Sequence, residues 1–335
     1  MWWTVVLTVV VVVLLLVLLV FITGFHRDAR FPWLPRFKTL GPSQLMWSRM
    51  WETDGIYRGL HSLHFGTPWH LLDYEDQRVL WVRMGSPLPP YISDVHLFVQ
   101  NILPKRRHKF ILVTSDGTRS MPSELEDDGA VEEIVNHPLC EAWFTQNYDG
   151  THSFLRPIPI GLAQHDFFKR HHLPSPRALE EVYLATTIWP DAERIPRIVS
   201  DVQFAQHDRH GNPRKVWTAF MGQLGDLVDA PARRIPIRSL WNKYGSYRYV
   251  MSLPGVGLDC HRTWEALGLG ATVITVSTPL DDLLRPFRVI ILDEFEQLLQ
   301  PAWLDTQWHT IVQHPLPNMQ AEFWQNYVVK ETDQT

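Results

Sequence analysis

The sequence predicts an α/β fold in two layered units that follow an N-terminal transmembrane helix. Three observations lead to this prediction. Residues 5–22 form one apolar run, short apolar runs alternate with polar helix-like stretches from residue 44 onward, and 335 residues have room for two medium domains. Short apolar strands that alternate with helices are typical of layers built on parallel sheets.

The N-terminal run has the length of a membrane-spanning helix. Residues 5–22 are apolar apart from Thr8, which is enough to cross a hydrocarbon core of about 30 Å. The run is too long for a signal-peptide core, and no small-residue cleavage site follows it. We therefore expect an uncleaved signal-anchor at residues 1–24 and a proline-bearing stem at residues 25–43. The basic residues near the span all follow it, so the positive-inside rule favours a cytoplasmic C-terminal domain.

The first half of the chain contains strand-like and helix-like segments in alternation. Apolar runs predict buried parallel strands at residues 78–82, 110–114 and, more weakly, 157–161. The stretches between them predict helices at residues 94–103 and 132–144.

A polar, irregular segment at residues 175–213, with a helical patch at 177–184, separates the halves. The run at residues 216–220 is predicted to be the first strand of the second half. The resulting division is an N-terminal α/β domain at 44–214, a C-terminal α/β domain at 215–300, and a helical tail at 301–335 that packs back on the first domain.

Composition narrows the class of partner. The chain carries a formal net charge of −5 and has no basic stripe interleaved with aromatics, so nucleic acid is not an expected partner. Cys140 and Cys260 are the only cysteines, which excludes a disulfide framework and leaves one bridge or two free thiols as alternatives.

The most informative stretch is residues 247–275. It reads as a buried strand, a loop with Gly255 and Gly257, a helix that opens near residues 259–263, and a second apolar strand at 271–276. A strand that leads through a glycine loop into a helix N-terminus is a backbone anion site, because free N–H groups and the positive end of the helix dipole meet there.

Charged side chains in the first turns of this helix support that interpretation. His261 and Arg262 place positive charge where it is unfavourable for the helix itself, which makes sense if a phosphate lies opposite. Glu265, one turn further, could accept hydrogen bonds from a ribose diol. The alternative is an ordinary βαβ unit with Arg262 solvated and Glu265 helping to cap the helix, since a loose glycine loop is a weak motif.

The run S-L-P-G-V-G-L-D-C-H-R-T-W-E-A-L-G-L-G-A-T-V-I, residues 252–274, resembles the C-terminal signature of exostosin-like glycosyltransferases. The resemblance continues at residues 279–281 (P-L-D) and 289–293 (V-I-I-L-D). Upstream, residues 136–148 and 156–162 are also similar to segments of that family.

The resemblance implies two Rossmann-like domains of GT-B type, with the donor in the C-terminal half and the acceptor in the N-terminal half. It implies an inverting, metal-independent transfer from a UDP-sugar, such as UDP-xylose, UDP-galactose or UDP-glucuronate, to a glycan or glycoprotein. It also implies a type II Golgi or ER anchor with a lumenal catalytic domain, which is opposite to the orientation that the flanking charges favour.

If the chain resembles this family in its donor site, Arg262 and the backbone amides of residues 255–262 are the expected ligands of the diphosphate of the nucleotide-sugar. Arg233 is a weaker candidate, because it follows the Gly222 loop much as family members place an arginine after their first C-terminal strand. The alternative for Arg233 is a solvated surface pair with Arg234.

An inverting transfer needs a base for the acceptor hydroxyl, which the first half must supply. Asp116 directly follows the strand predicted at residues 110–114 and is the first candidate; Asp149 is the second. Asn147 could position an acceptor hydroxyl or simply hold a loop. Each aspartate precedes a glycine, so an Asx-turn residue is the alternative for both.

No metal ion or other cofactor is expected, because the helix dipole and Arg262 can neutralise the diphosphate. The acidic cluster at residues 73–76 is faintly similar to a manganese-binding motif but precedes a strand rather than following a strong one. The histidines lack a third ligand at a suitable spacing.

Two other function classes stay open at this point. One is a catalytically inactive, anchored carbohydrate-binding or scaffold protein, since Leu253 and Val256 stand where many relatives have polar residues. The other is a sulfotransferase, which is disfavoured because no phosphate-binding glycine loop follows an early strand.

Overall fold

The structure is a computed structural model, and it describes residues 44–51, 77–85, 94–125, 129–166, 171–173, 175–204 and 209–334. These residues all belong to one compact unit, Pro42–Thr335. The predicted anchor and stem lie outside the described residues. No helix in the described part of the chain is long and apolar enough to cross a membrane.

Two parallel sheets form the framework, as the alternating pattern predicts. The first sheet has four strands in the order β1-β2-β3-β4, and every neighbouring pair is parallel. Its strands are β1 (Val79–Gly85), β2 (Phe110–Gly117), β3 (Cys140–Thr145) and β4 (Leu155–Pro157). Almost every side chain of β1 and β2 is buried, because helices cover both faces of such a sheet.

The second sheet has five parallel strands in the order β6-β5-β7-β8-β9. Its strands are β5 (Ile195–Val199), β6 (Val228–Asp229), β7 (Tyr247–Met251), β8 (Thr272–Val276) and β9 (Val289–Leu292). The chain runs from β5 to β6 on one side and then crosses to β7 on the other. The point between β5 and β7, where the strand order reverses, is where open α/β sheets bind ligands.

Nine α-helices connect or cover the described strands. In chain order they are α1 (Val95–Asn101), α2 (Ala130–Val135), α3 (Pro176–Leu184), α4 (Pro213–Phe220), α5 (Ile237–Ser246), α6 (His261–Gly268), α7 (Asp281–Leu284), α8 (Pro301–Ile311) and α9 (Ala321–Asp333). Short 3₁₀ helices span Leu103–Lys105, Gln164–Asp166, Asp191–Glu193, Val202–Phe204, Met221–Leu227 and Phe295–Leu299.

The C-terminal tail is helical and divides between the two halves. In α8, Leu304 and Trp308 join the core of the second sheet. In α9, Trp324 and Val328 are buried in a core that reaches the first sheet, and the ring of Tyr327 lies 6.3 Å from that of Phe144 in β3. Helix α9 therefore packs against residues of the first sheet.

One hydrophobic core is shared by both halves. It contains residues of β2 and β3 together with residues of β7 and β8, and Trp264 of α6 belongs to it with no exposed surface. The ring of Trp264 is 6.3 Å from the ring of Trp324 in α9. This shared core makes α6, which begins at the predicted anion site, part of the contact between the halves.

Several predicted elements are confirmed. The strands at 78–82 and 110–114 are β1 and β2, and the helix at 94–103 is α1 with the 3₁₀ turn that follows it. The helical patch at 177–184 is α3. The strands, glycine loop and helix of residues 247–275 are β7, the loop, α6 and β8.

The predicted strand at residues 216–220 is wrong. These residues belong to α4, which starts at Pro213 and is capped by the Asn212 side chain. The segment contains residues that favour strands, but its buried positions are Arg214, Trp217 and Phe220, three residues apart. Helix spacing and a proline at the first helical position outweigh the strand propensity of single residues.

The helix predicted at 132–144 is also wrong beyond its first part. Helix α2 ends at Val135, a turn around Pro138 follows, and β3 begins at Cys140. The strand predicted at 157–161 is confined to Leu155–Pro157, since Pro159 has no N–H for a ladder bond.

A further strand, β5, lies inside the segment that the sequence suggests is irregular. The second sheet therefore begins upstream of the boundary predicted at residue 215.

Candidate functional site

A cleft of about 1270 Å³ opens at the carboxyl ends of strands from both sheets. On the side of the first sheet its wall includes Asp116, at the end of β2, and Gln146, which follows β3. On the side of the second sheet it includes Asp201, which follows β5, and the loop at residues 255–257, which follows β7. The second wall is the switch point of that sheet, so the topology and the cleft indicate the same ligand site.

The two glycines of the loop are required by close neighbours. A Cβ on Gly255 would lie 2.5 Å from Nη2 of Arg214, and one on Gly257 would lie 2.8 Å from Nδ2 of Asn147. Arg214 is buried, and its Nε and Nη2 donate to the carbonyl oxygen of Leu253 at 3.1 and 2.9 Å. Both glycines line the cleft, as predicted, and both also let buried polar side chains pack against the loop.

Arg262 lies at the cleft, but a carboxylate already contacts it. Its Nε and Nη2 lie 2.5 and 3.0 Å from Oδ1 and Oδ2 of Asp201, and Tyr244 donates its hydroxyl to the same Oδ1 at 3.1 Å. Burial acts to raise the pKa of Asp201, but Arg262 and Tyr244 outweigh it, so the pKa lies below its usual value. The charge of Arg262 is therefore balanced in this structure by a residue that the sequence analysis did not single out.

Glu265 lines the cleft, but protein groups already occupy both of its carboxylate oxygens. It is buried, and its two oxygens accept hydrogen bonds from Nε1 of Trp241 at 3.1 Å and from the amide of Ala163 at 3.3 Å. Burial raises the pKa of this carboxyl. The Ala163 contact holds α6 against the first half, and the Trp241 contact holds it against α5. The role of Glu265 as a ribose ligand stays a prediction.

His261 is held by a backbone carbonyl of the first half. Its Nδ1 lies 2.7 Å from the carbonyl oxygen of Gly161, and because a carbonyl only accepts, this nitrogen carries the proton. The ring lies 5.0 Å from the ring of His165 in the same cleft.

Asp259 completes a cross-half contact, defined as Asp259, His261 and Glu265 with residues 160–163. Its carboxylate accepts from the amide of Ile160 at 2.8 Å and from Nε1 of Trp264 at 2.9 Å. Three side chains in and just before α6 thus bond to one short segment of the first half. The predicted anion-binding helix is fixed in place by the opposite domain.

The structure does not bring Gly222 or Arg233 to the cleft. Gly222 lies in the 3₁₀ helix that follows α4, because the predicted strand before it is a helix. Arg233 is exposed and away from the lining, whereas its neighbour Arg234 lines the cleft and donates to the carbonyl oxygen of Phe204 at 2.5 Å.

Sequence reasoning missed Arg214 and Asp201. A helix start at Asn212-Pro213 would have pointed to Arg214, and the end of an apolar strand at Val199 would have pointed to Asp201.

Asp116 faces the cleft at the end of β2. Its backbone is left-handed, with φ 58°, and its Oδ2 lies 3.2 Å from Nε of Arg83 and 3.9 Å from Nε of Arg49. The hydroxyl of Ser48 donates to Oδ1 at 3.5 Å, and Gln146 accepts from the backbone amide at 3.2 Å. The carboxylate is thus oriented by protein groups while it lines the ligand space.

Asp149 and Asn147 have local roles. Asp149 accepts hydrogen bonds from the amides of Ser123 at 2.9 Å and Thr151 at 3.0 Å and does not line the cleft, as in the Asx-turn alternative. Asn147 is fully buried, and its Oδ1 accepts from the amide of Asp259 at 2.8 Å, so it holds the glycine loop.

Cys140 and Cys260 are free thiols, and only Cys260 lines the cleft. Within the described ranges, no three His, Cys, Asp or Glu side chains are grouped in a way that could hold a metal ion. The acidic cluster at residues 73–76 lies outside those ranges.

No protein-family model matches the chain, and no curated protein matches it. Among solved structures, the chain is similar to an α,α-trehalose-phosphate synthase (UDP-forming) from Burkholderia vietnamiensis, with 8% identity, 76% of this chain and 74% of that chain covered, and a TM-score of 0.34. It is also similar to a sucrose-phosphate synthase from Thermosynechococcus elongatus, with 12% identity, 77% and 72% covered, and a TM-score of 0.34.

A third similar structure is trehalose-6-phosphate from E. coli bound with UDP-2-fluoro glucose, with 8% identity, 79% and 75% covered, and a TM-score of 0.35. Likeness at this level does not decide function.

Proposed function

We propose that this chain is a glycosyltransferase that moves a sugar from a UDP-sugar to a glycan or glycoprotein acceptor with inversion. The observation that supports this most is the composition of one cleft. The switch point of the second sheet, with a glycine loop leading into α6, forms one wall, and the carboxylate of Asp116 lies on the other. An anion site that faces a carboxylate base suits a reaction in which a diphosphate leaves as a hydroxyl attacks.

The wall of the second half would hold the donor. The N-terminus of α6 offers the positive end of a helix dipole, and the loop before it brings backbone amides to the same place. Arg262 and Arg214 add two guanidinium groups that line the cleft beside this loop. Guanidinium groups bind phosphate oxygens with two parallel hydrogen bonds, which suits a diphosphate leaving group.

The wall of the first half would hold the acceptor. Asp116 takes the proton of the acceptor hydroxyl as the oxygen attacks the anomeric carbon. The bond from that carbon to the diphosphate oxygen breaks on the opposite face, and UDP leaves with the electron pair. No metal ion or other cofactor enters this scheme, because the helix dipole and arginine charge stabilise the leaving group.

The resemblance of residues 252–274 to exostosin-like glycosyltransferases supports the same assignment. We extend the proposal to residues 1–24 as a membrane anchor that keeps the catalytic unit in the lumen of the Golgi or ER.

A donor-hydrolysis screen tests the proposal. The full chain in detergent is incubated with UDP-sugars and GDP-sugars, with and without excess EDTA, and nucleotide release is measured. We expect release from at least one UDP-sugar, unchanged by EDTA. Binding of glycans without release from any donor would instead identify the inactive scaffold protein, and activity that EDTA abolishes and Mn²⁺ restores would contradict the metal-free site.

A further inference from the structure

The ion pair between Asp201 and Arg262 lies across the switch point. Asp201 follows the carboxyl end of β5, and Arg262 is the second residue of α6. Both line the cleft, and their side chains are 17% and 14% exposed. The pair can therefore be reached by a ligand in the cleft.

The pair has the geometry that a phosphate would adopt on the same arginine. Two nitrogens of Arg262 lie 2.5 and 3.0 Å from the two oxygens of Asp201. Guanidinium groups bind carboxylate and phosphate oxygens with the same two-point geometry. The carboxylate of Asp201 thus takes the place on Arg262 that two phosphate oxygens of a donor would need.

A third residue can retain Asp201 when Arg262 releases it. The hydroxyl of Tyr244, a fully buried side chain of α5, donates to Oδ1 of Asp201 at 3.1 Å. This hydrogen bond does not involve Arg262, so it can persist in both arrangements. A buried carboxylate that lost Arg262 without such a donor would be much more costly.

We propose that Asp201 is a positioning residue that substitutes for the donor diphosphate on Arg262 in the ligand-free protein. Binding of the diphosphate then replaces Asp201 on the guanidinium, and Tyr244 holds the displaced carboxylate. This proposal rests on the proposed function, since the diphosphate is that of the nucleotide-sugar. It predicts that removing a carboxylate from the site strengthens anion binding.

Asp201→Asn in the full chain tests this directly. The amide keeps the size of the side chain and an acceptor for Tyr244 but cannot form the ion pair. Calorimetry with UDP, uridine and inorganic pyrophosphate should show roughly tenfold tighter binding of UDP and pyrophosphate, because Arg262 no longer has to be freed first. Uridine, which has no phosphate, should bind as it does to the wild type. Unchanged or weaker binding of both anions overturns the proposal.

Tyr244→Phe is a second variant, and it is expected to weaken anion binding where Asp201→Asn strengthens it. Without the hydroxyl, the displaced carboxylate is left without its donor, so UDP and pyrophosphate should bind severalfold more weakly while uridine is unaffected. If Asp201→Asn does not fold, unchanged anion binding by Tyr244→Phe overturns the proposal instead.

Asp191→Asn is the matched control. Asp191 pairs with Arg288 at 3.0 Å outside the cleft lining, so its loss should leave the affinity for all three ligands unchanged.

The two proposals fail in different ways. If pyrophosphate binds as expected and UDP does not bind at all, the exchange at Arg262 stands and the glycosyltransferase assignment fails. If UDP binds wild type and Asp201→Asn equally well, the assignment survives and the exchange fails.

Discussion

At the scale of single residues, Asp116 is the side chain on which the proposed chemistry depends most. Its left-handed backbone places the carboxylate at the cleft edge of β2, beside Arg83 and within reach of Ser48. Aspartate and asparagine tolerate this backbone region better than most residues. Asp116→Asn therefore removes the basic group while the loop keeps its conformation.

We expect Asp116→Asn to lower kcat by about 10²–10⁴ and to leave the donor KM nearly unchanged, because the donor is held by the opposite wall. Steady-state kinetics with the best donor from the screen measures both parameters. Asp149→Asn is the matched control, since Asp149 bonds to the Ser123 and Thr151 amides outside the cleft lining, and its kcat should stay near that of the wild type. A normal kcat for Asp116→Asn would show that Asp116 is a turn residue and not the catalytic base.

At the scale of elements, the loop between β7 and α6 is built around small residues. Asn147 is fully buried and hydrogen-bonded at both ends, so it cannot move away from a side chain at Gly257. The nearest atoms to such a side chain would be 2.8 and 2.9 Å away, closer than real Cβ contacts. Gly222 in the 3₁₀ helix has no atom within 4 Å of the same position.

Gly257→Ala should therefore lower the free energy of unfolding by about 1–3 kcal/mol and weaken UDP binding, because the loop must shift. Gly222→Ala, the matched substitution outside the cleft, should change neither. Urea unfolding and UDP calorimetry on both variants provide the comparison. Equal effects at the two glycines would contradict the packing described for the loop.

The elements also show what could be predicted from the sequence. The strand, loop and helix of residues 247–275 were predictable because apolar runs, glycines and a helical repeat all agree there. The helix at 216–220 was not predictable in this way. Its individual residues have strand propensity, but the buried residues of the segment recur at the spacing of a helix.

The site itself was predictable only in part. Gly255, Gly257, Arg262 and Asp116 do meet in one cleft, but the partners of Arg262 and Glu265 come from chain segments distant in sequence. Nothing in the local pattern shows that Asp201 and Trp241 face them, because those contacts arise only when the end of β5, helix α5 and helix α6 pack together in the second half.

At the scale of the whole molecule, the cross-half contact joins α6 and the loop before it to the first half. Asp259 is one of its two buried carboxylates, and burial raises its pKa to about 7, against the lowering effect of hydrogen bonds from Ile160, Trp264 and Cys260. Since this pKa exceeds the ordinary aspartate pKa of about 4, the folded protein binds a proton more tightly than the unfolded chain. The resulting stabilisation is present below about pH 4 and is lost as the pH rises through about 7.

We therefore expect the free energy of unfolding to fall by roughly 2 kcal/mol between pH 5 and pH 7 through this group. Asp259→Asn should be less stable, since it loses acceptors, and should lack this part of the pH dependence. Asp282→Asn, whose side chain is fully exposed, is the control and should keep the wild-type slope. Urea unfolding at several pH values tests this, and the same slope in wild type and Asp259→Asn would contradict it.

The central claim is that a nucleotide diphosphate binds at the switch point between β5 and β7. Amide hydrogen exchange of the full chain, with and without saturating UDP, tests this location directly. We expect slower exchange with UDP at residues 255–258 and in the first turn of α6, and no change in α8, which contacts Arg248 and Tyr249 of β7 and lies outside the cleft lining. Protection confined to other segments, or no protection at saturating UDP, would contradict the claim.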